Sequence, residues 1–178
     1  MKDHSTQINA ASYMRDSESL WLWYEGLDDK SKEFKSHAGE WSVNDVFHHL
    51  MVVESMLIAQ VKDRLASGKV RLAEWKHRRN ALFLVAALRI PKRYKAPAAV
   101  LKSIESAEFI LEDWQKVRLD LIVLLKEFPT EHTNGLVFKH PSAGPIRISD
   151  AIRFLHFHMR HHFSQLRSLA KRGGFVGF

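Results

Sequence analysis

Between Trp41 and Gly68 the chain reads WSVNDVFHHLMVVESMLIAQVKDRLASG, and this stretch decides the fold. Ser42 followed three residues later by Asp45 forms a capping box, in which the serine hydroxyl accepts from a backbone amide that the first helical turn leaves unpaired. Val46, Leu50, Val53, Leu57, Val61 and Leu65 then recur every three or four residues, the spacing of one face of an α-helix. Gly68 supplies the stop. Trp41, just ahead of the cap, is placed to pack back onto the first turn as a staple.

The same period extends outward on both sides. Residues 6–27 carry Ile8, Tyr13, Leu20, Trp21, Trp23 and Tyr24 on one side of a first helix, which Gly26 and Asp28-Asp29 help to end. Residues 30–40 read as a polar connection. A short additional helix is predicted over 74–88, closed off by Pro91. A third long helix is predicted from about Pro97, a good first-turn residue, to Phe128 just before Pro129. Residues 129–147 are rich in glycine and proline and show no alternating apolar run bounded by hairpin turns, so no sheet is expected there. Ser149 and Asp150 open a fourth helix, and Gly173-Gly174 end it. The expectation is an all-α protein, one domain over 1–178, built as an antiparallel four-helix bundle with a short additional helix and long connections.

Composition narrows the chemistry. The 178 residues are 46% hydrophobic and 26% charged, an ordinary globular balance that suits one sizeable core. There is no cysteine, so disulfides and thiolate metal sites are excluded, and any metal must use histidine nitrogen or carboxylate oxygen. The amino terminus lacks the apolar core of a signal peptide, and the apolar run 81–88 is far shorter than the roughly 20 residues a bilayer requires. A soluble, cytoplasmic protein is therefore expected. The formal charge is +7, with ten basic residues and one acid between Lys69 and Lys102. That segment reads first as a solvated surface. It lacks the regular aromatic interleaving of single-strand binders and any nucleic-acid motif, so neither nucleic acid nor membrane is expected as a partner.

Eleven histidines are the unusual feature, and position separates them. The buried stripe of the fourth helix is Ala151, Leu155, His158, His162, Leu166 and Leu169, so two imidazoles lie one turn apart within an apolar face. Residues four apart stack on the same side, where both can reach a single ion. His49 falls on the buried stripe of the second helix, between Val46, Leu50 and Val53. A neutral imidazole among aliphatic groups needs a partner for its nitrogens, and a metal shared with two inward histidines supplies one. Hydrogen-bonded core histidines are the competing reading. His48 travels at the flank, His156 is expected to face solvent with Arg153 and Arg160, and His161 is expected to be exposed. His4, His37, His77, His132 and His140 read as surface residues, with His140 able to reach the mouth of the bundle. Glu54 reads as a solvated helix glutamate, with a ligand-orienting or base role as the alternative.

Two segments resemble the DinB-like superfamily of metal-binding four-helix bundles. One is Trp41-Ser42-Val43-Asn44-Asp45-Val46-Phe47-His48-His49-Leu50, with Glu54 following; the other is His140-Pro141-Ser142-Ala143-Gly144-Pro145, leading through Arg153-Phe154-Leu155 to His158-Met159-Arg160-His161-His162. In that family a tryptophan and a hydroxyl residue open the second helix, a histidine before a leucine on it binds the metal, and the fourth helix supplies two more ligands four residues apart. Matched position by position, the resemblance implies His49, His158 and His162 as metal ligands, the three that periodicity singles out. It also implies a divalent transition metal, zinc or nickel above others, and a small-molecule substrate. For some members it implies thiol transfer with a low-molecular-weight thiol as co-substrate, for others hydrolysis, and it implies a homodimer. The alternative is a non-catalytic binding or stress-associated bundle, its metal structural or absent. The two part on whether the centre opens into a ligand-sized pocket or is sealed by Trp21, Trp23 or Met159.

Overall fold

The computed structural model describes residues 4–90 and 109–177. Four long helices dominate: α1 (His4–Glu25), α3 (Val43–Ala66), α5 (Leu111–Glu127) and α6 (Ile148–Gly173). Between them lie a short α2 (Asp29–Glu33), a strand β1 (Arg71–Leu72), the helix α4 (Trp75–Leu88), a 3-10 turn (Thr130–His132) and the strands β2 (Gly135–His140) and β3 (Gly144–Arg147). The protein is mainly α-helical, as expected. The part of the third helix predicted over 97–108 lies outside the described residues.

The capping box forms as read: the Asp45 amide donates to Ser42 Oγ at 3.1 Å, and the Ser42 amide donates to Asp45 Oδ2 at 2.9 Å. This fixes where α3 begins and therefore which residues face inward. α1 packs on α6, and α3 packs on both α5 and α6. Their shared interior holds Leu20, Phe47, Leu57, Trp114, Leu121, Ile152 and Leu166, all with essentially no exposed surface. α6 ends on Gly174, whose left-handed φ of 71° lets the Phe175 amide turn back to the Ala170 carbonyl at 3.2 Å.

Two expectations are corrected. A small antiparallel sheet in the order β1-β2-β3 occupies part of the connection that was read as strandless. Leu136, Val137 and Phe138 are all buried, because β2 lies against both α3 and α6. A strand covered on both faces shows no alternation to read. Pro145 is tolerated because β3 is an edge strand of this sheet. The polar connection 30–40 also contains the single-turn α2, capped by the Asp28 carboxylate accepting from the Ser31 amide at 2.7 Å.

α4 packs against α6 and β3. It buries only Ala81 and Val85, while Leu82 and Phe83 are 53% and 66% exposed. A wall thus stands beside the outer face of α6, with a gap behind it. Among the described residues no helix is long and apolar enough to cross a membrane.

Candidate metal centre

The gap between α3, α4, α6 and the hairpin is a cavity of about 970 Å³, and His49, His158 and His162 line it. His49 points from α3, and the other two from successive turns of α6. Their ligand-capable nitrogens all lie within 4.8 Å of one another. His158 Nε2 sits 3.0 Å from His49 Nε2 and 3.2 Å from His162 Nε2. His49 and His162 are buried, and His158 keeps a little more accessible surface.

Aromatic neighbours hold the rings in place. Trp41 lies 5.0 Å from the His49 ring and stacks on His162 at 6.3 Å, so it covers the centre from above α3. Phe154 stacks on His158 at 5.2 Å. Burial pushes the His49 imidazole down to about 4, and burial followed by the neighbouring histidines holds His158 and His162 well below the ordinary histidine value. All three are therefore neutral near pH 7, with lone pairs available.

Proton counting shows what the trio needs. His162 Nδ1 donates to Gln165 Oε1 at 2.9 Å, so in the neutral ring Nε2 carries a lone pair. The same amide's nitrogen donates to His161 Nε2 at 3.4 Å, and His161 Nδ1 donates to the Leu88 carbonyl at 3.2 Å. A chain of assigned donors thus runs from the last residue of α4 to a cavity-facing lone pair. His158 Nε2 carries at most one proton and stands within hydrogen-bond reach of two other Nε2 atoms, so one proton there cannot satisfy both contacts well. His49 Nδ1 is buried without a partner. Three convergent nitrogens with too few protons among them fit a cation, and an all-nitrogen donor set suits zinc, nickel, copper or iron.

Several other readings change. His161 is buried and links Leu88 to Gln165, where exposure was expected. His156, expected in solvent, is 8% exposed and bonds Asp16 Oδ2 at 2.9 Å, joining α6 to α1. Glu54 is fully buried and serves neither as a solvated residue nor as an orienter of the centre. It lies about 140° round α3 from His49. There its Oε2 accepts from Tyr13 OH at 2.9 Å and from Trp114 Nε1 at 2.7 Å. The Arg118 guanidinium packs over the rings of Tyr13 and Trp21 in the same cluster. Trp41 reaches past the first turn to the histidines. Sequence reasoning passed over Gln165, although its place three residues after His162 is the signal for a partner on the same helical face. In the basic segment, Lys69, Arg71, Lys76, Arg78 and Arg79 are exposed, Arg89 packs over Phe157 at 4.7 Å, and 91–102 lies outside the described residues.

A profile of the DinB superfamily matches residues 15–166, most of the chain. The chain belongs to the DinB superfamily. This DinB protein is 28% identical over 161 residues to the uncharacterized protein YuaE of Bacillus subtilis (strain 168), covering 85% of its own length and 91% of that relative. It is 26% identical over 146 residues to proteins of Bacillus cereus (strain 03BB102) and Bacillus anthracis (strain A0248), both named "Putative metal-dependent hydrolase", covering 82% of its own length and 74% of theirs. No solved structure matches the chain.

Acid should unfold the metal-free DinB protein early. A histidine held below its unfolded value of about 6.5 binds fewer protons folded than unfolded, so its contribution is complete above that value and is lost as pH falls. His49 and His140 are both pushed down to about 4, with burial the cause. Between pH 7 and 5 each costs on the order of 2 kcal/mol of stability, and His158 and His162 add to the loss. Glu54, raised by burial, shifts the balance the other way but is one group against four. Urea midpoints measured in chelator across that range should fall steeply, and a flat profile would contradict the neutral, buried state of these rings.

Proposed function

We propose that this DinB protein is a metal-dependent enzyme in which His49, His158 and His162 hold one divalent transition-metal ion, zinc or nickel, beside a small-molecule substrate. The observation that carries this reading is the convergence of three neutral imidazole nitrogens on a cavity of about 970 Å³. Trp21, Trp23 and Met159, the side chains that could have sealed such a centre, are not among the residues lining the cavity. This favours catalysis over the alternative of a purely structural metal.

Held by three neutral ligands, such an ion would keep its full charge and supply Lewis acidity, lowering the pKa of a bound water or thiol so that its proton is released to solvent near neutral pH. The protein's own groups do the rest. Gln165 keeps the His162 proton on Nδ1, so the Nε2 lone pair stays aimed into the cavity. Trp41 and Phe154 stack on the His162 and His158 rings and fix their planes. Apolar walls from Val53, Met56, Leu84, Phe138 and Leu169 accept the body of a substrate and lower the local dielectric. The chain has no cysteine, so a thiol nucleophile would arrive as a co-substrate. Thiol transfer and hydrolysis are the two reactions such a centre supports, and supplied reactants separate them. Zinc- or nickel-loaded protein should turn over either a thiol with an electrophilic acceptor or an ester, and chelator should abolish the turnover. A protein that takes up neither metal would overturn the reading.

A further inference from the structure

His140 is the last residue of β2, and its ring folds back over the turn to β3. Nδ1 receives two backbone N–H groups, from Ser142 at 3.1 Å and Ala143 at 3.2 Å. A nitrogen that accepts hydrogen bonds carries a lone pair, so the neutral ring must hold its proton on Nε2. No protein acceptor for that Nε2–H is found among the described residues, and the atom is not sealed in the interior. The His140 ring stands edge-on to Phe154 at 4.7 Å, while Phe154 stacks on His158 at 5.2 Å. His140 and His158 thus flank one aromatic ring and line one cavity.

We propose that His140 is the cavity's fixed neutral hydrogen-bond donor, its Nε2–H presented to an acceptor oxygen of a substrate that also carries an apolar body. The substrate class is a carbonyl or carboxylate compound with an apolar remainder, its oxygen lying between His140 and the three-histidine centre. Two backbone amides lock the tautomer before any ligand arrives, so the donor needs no reorganisation when negative charge develops on that oxygen. Being neutral, it adds no positive charge to compete with a bound cation. The walls supply the rest of the fit, since Phe138, Phe154 and Leu84 offer apolar surface in the same cavity. This inference rests on the metal-centre reading.

The test uses zinc-loaded full-length protein, with phenylacetate as the probe and His140→Asn as the variant. Asparagine Oδ1 can still accept from the two turn amides, but the amide is too short to offer a donor where Nε2 stood. Zinc content and helical signal should match wild type, while phenylacetate affinity, read by calorimetry, falls about tenfold, the scale of one hydrogen bond to a charged acceptor. Imidazole nitrogen shifts in labelled protein should report Nε2–H at His140, and the proton signal should move when phenylacetate is added. The proposal is overturned if zinc-loaded wild type does not bind phenylacetate, if the variant binds it equally well, or if the proton sits on Nδ1. Failure of the protein to bind zinc would instead remove the metal-centre reading, and the tautomer measurement stands apart from that outcome.

Discussion

Protein prepared without a histidine tag is expected to hold about one transition-metal ion per chain, and His158→Ala with His162→Ala is expected to hold none while keeping its helical signal. Two of the three proposed ligands disappear in that variant, which leaves a single imidazole on α3 facing a cavity that water can enter. Loss of a group that merely orients a ligand costs 10- to 100-fold in metal affinity, so loss of two ligands should exceed a thousandfold. The fold should survive because both side chains face the cavity, and the α1–α6 and α3–α5 packing does not depend on them. Removing two neutral imidazoles from a desolvated cluster even relieves the crowding of nitrogens around His158. Elemental analysis reads the result directly. Metal retained at wild-type level in the double variant would place the ion elsewhere.

The largest stability effect should come from the opposite side of α3. Trp114 has no exposed surface, meets Trp21, Phe47 and Phe109 edge-on, and donates its indole N–H to Glu54. Trp114→Ala opens a large cavity and removes a hydrogen bond from a buried carboxyl. Truncation of a buried tryptophan costs about 3–5 kcal/mol, and the lost hydrogen bond to Glu54 Oε2, which keeps its Tyr13 donor, adds about 1 kcal/mol. Total stabilities of about 5–15 kcal/mol leave little margin, so this variant should be largely unfolded or nearly so in mild urea. Trp114→Phe separates the two causes. It keeps most of the packing and loses only the N–H, so its urea midpoint should fall by the smaller amount, and a midpoint equal to wild type would show that Glu54 does not rely on the indole.

The fold was legible where local chemistry and period agree. Ser42 with Asp45, the stripe from Val46 to Leu65 and the glycine pair at the end of α6 state their roles within a few residues of themselves. The convergence of His49, His158 and His162 was legible for the same reason, since each falls on an apolar face whose partner can be guessed. What escaped depended on contacts that no spacing reports. Glu54 looks like any helix glutamate until Tyr13 and Trp114 arrive from two other helices. His156 and His161 lie off the stripe, yet Asp16 and the end of α4 cover them. The β2–β3 hairpin hid because burial on both faces erases the two-residue period, and because His140 completes its turn with a side chain rather than a recognisable turn dipeptide.

The carbonyl of Leu88 is among those that a helix leaves unpaired at its end, and here it is taken by His161. Through Gln165 that bond continues to His162. The side of the cavity and its floor are therefore mechanically one part. Any ligand that displaces the end of α4 must also disturb the orientation of a cavity-facing imidazole. A cavity ligand that shifts the centre's affinity for an ion has its own affinity shifted by that ion by the same factor.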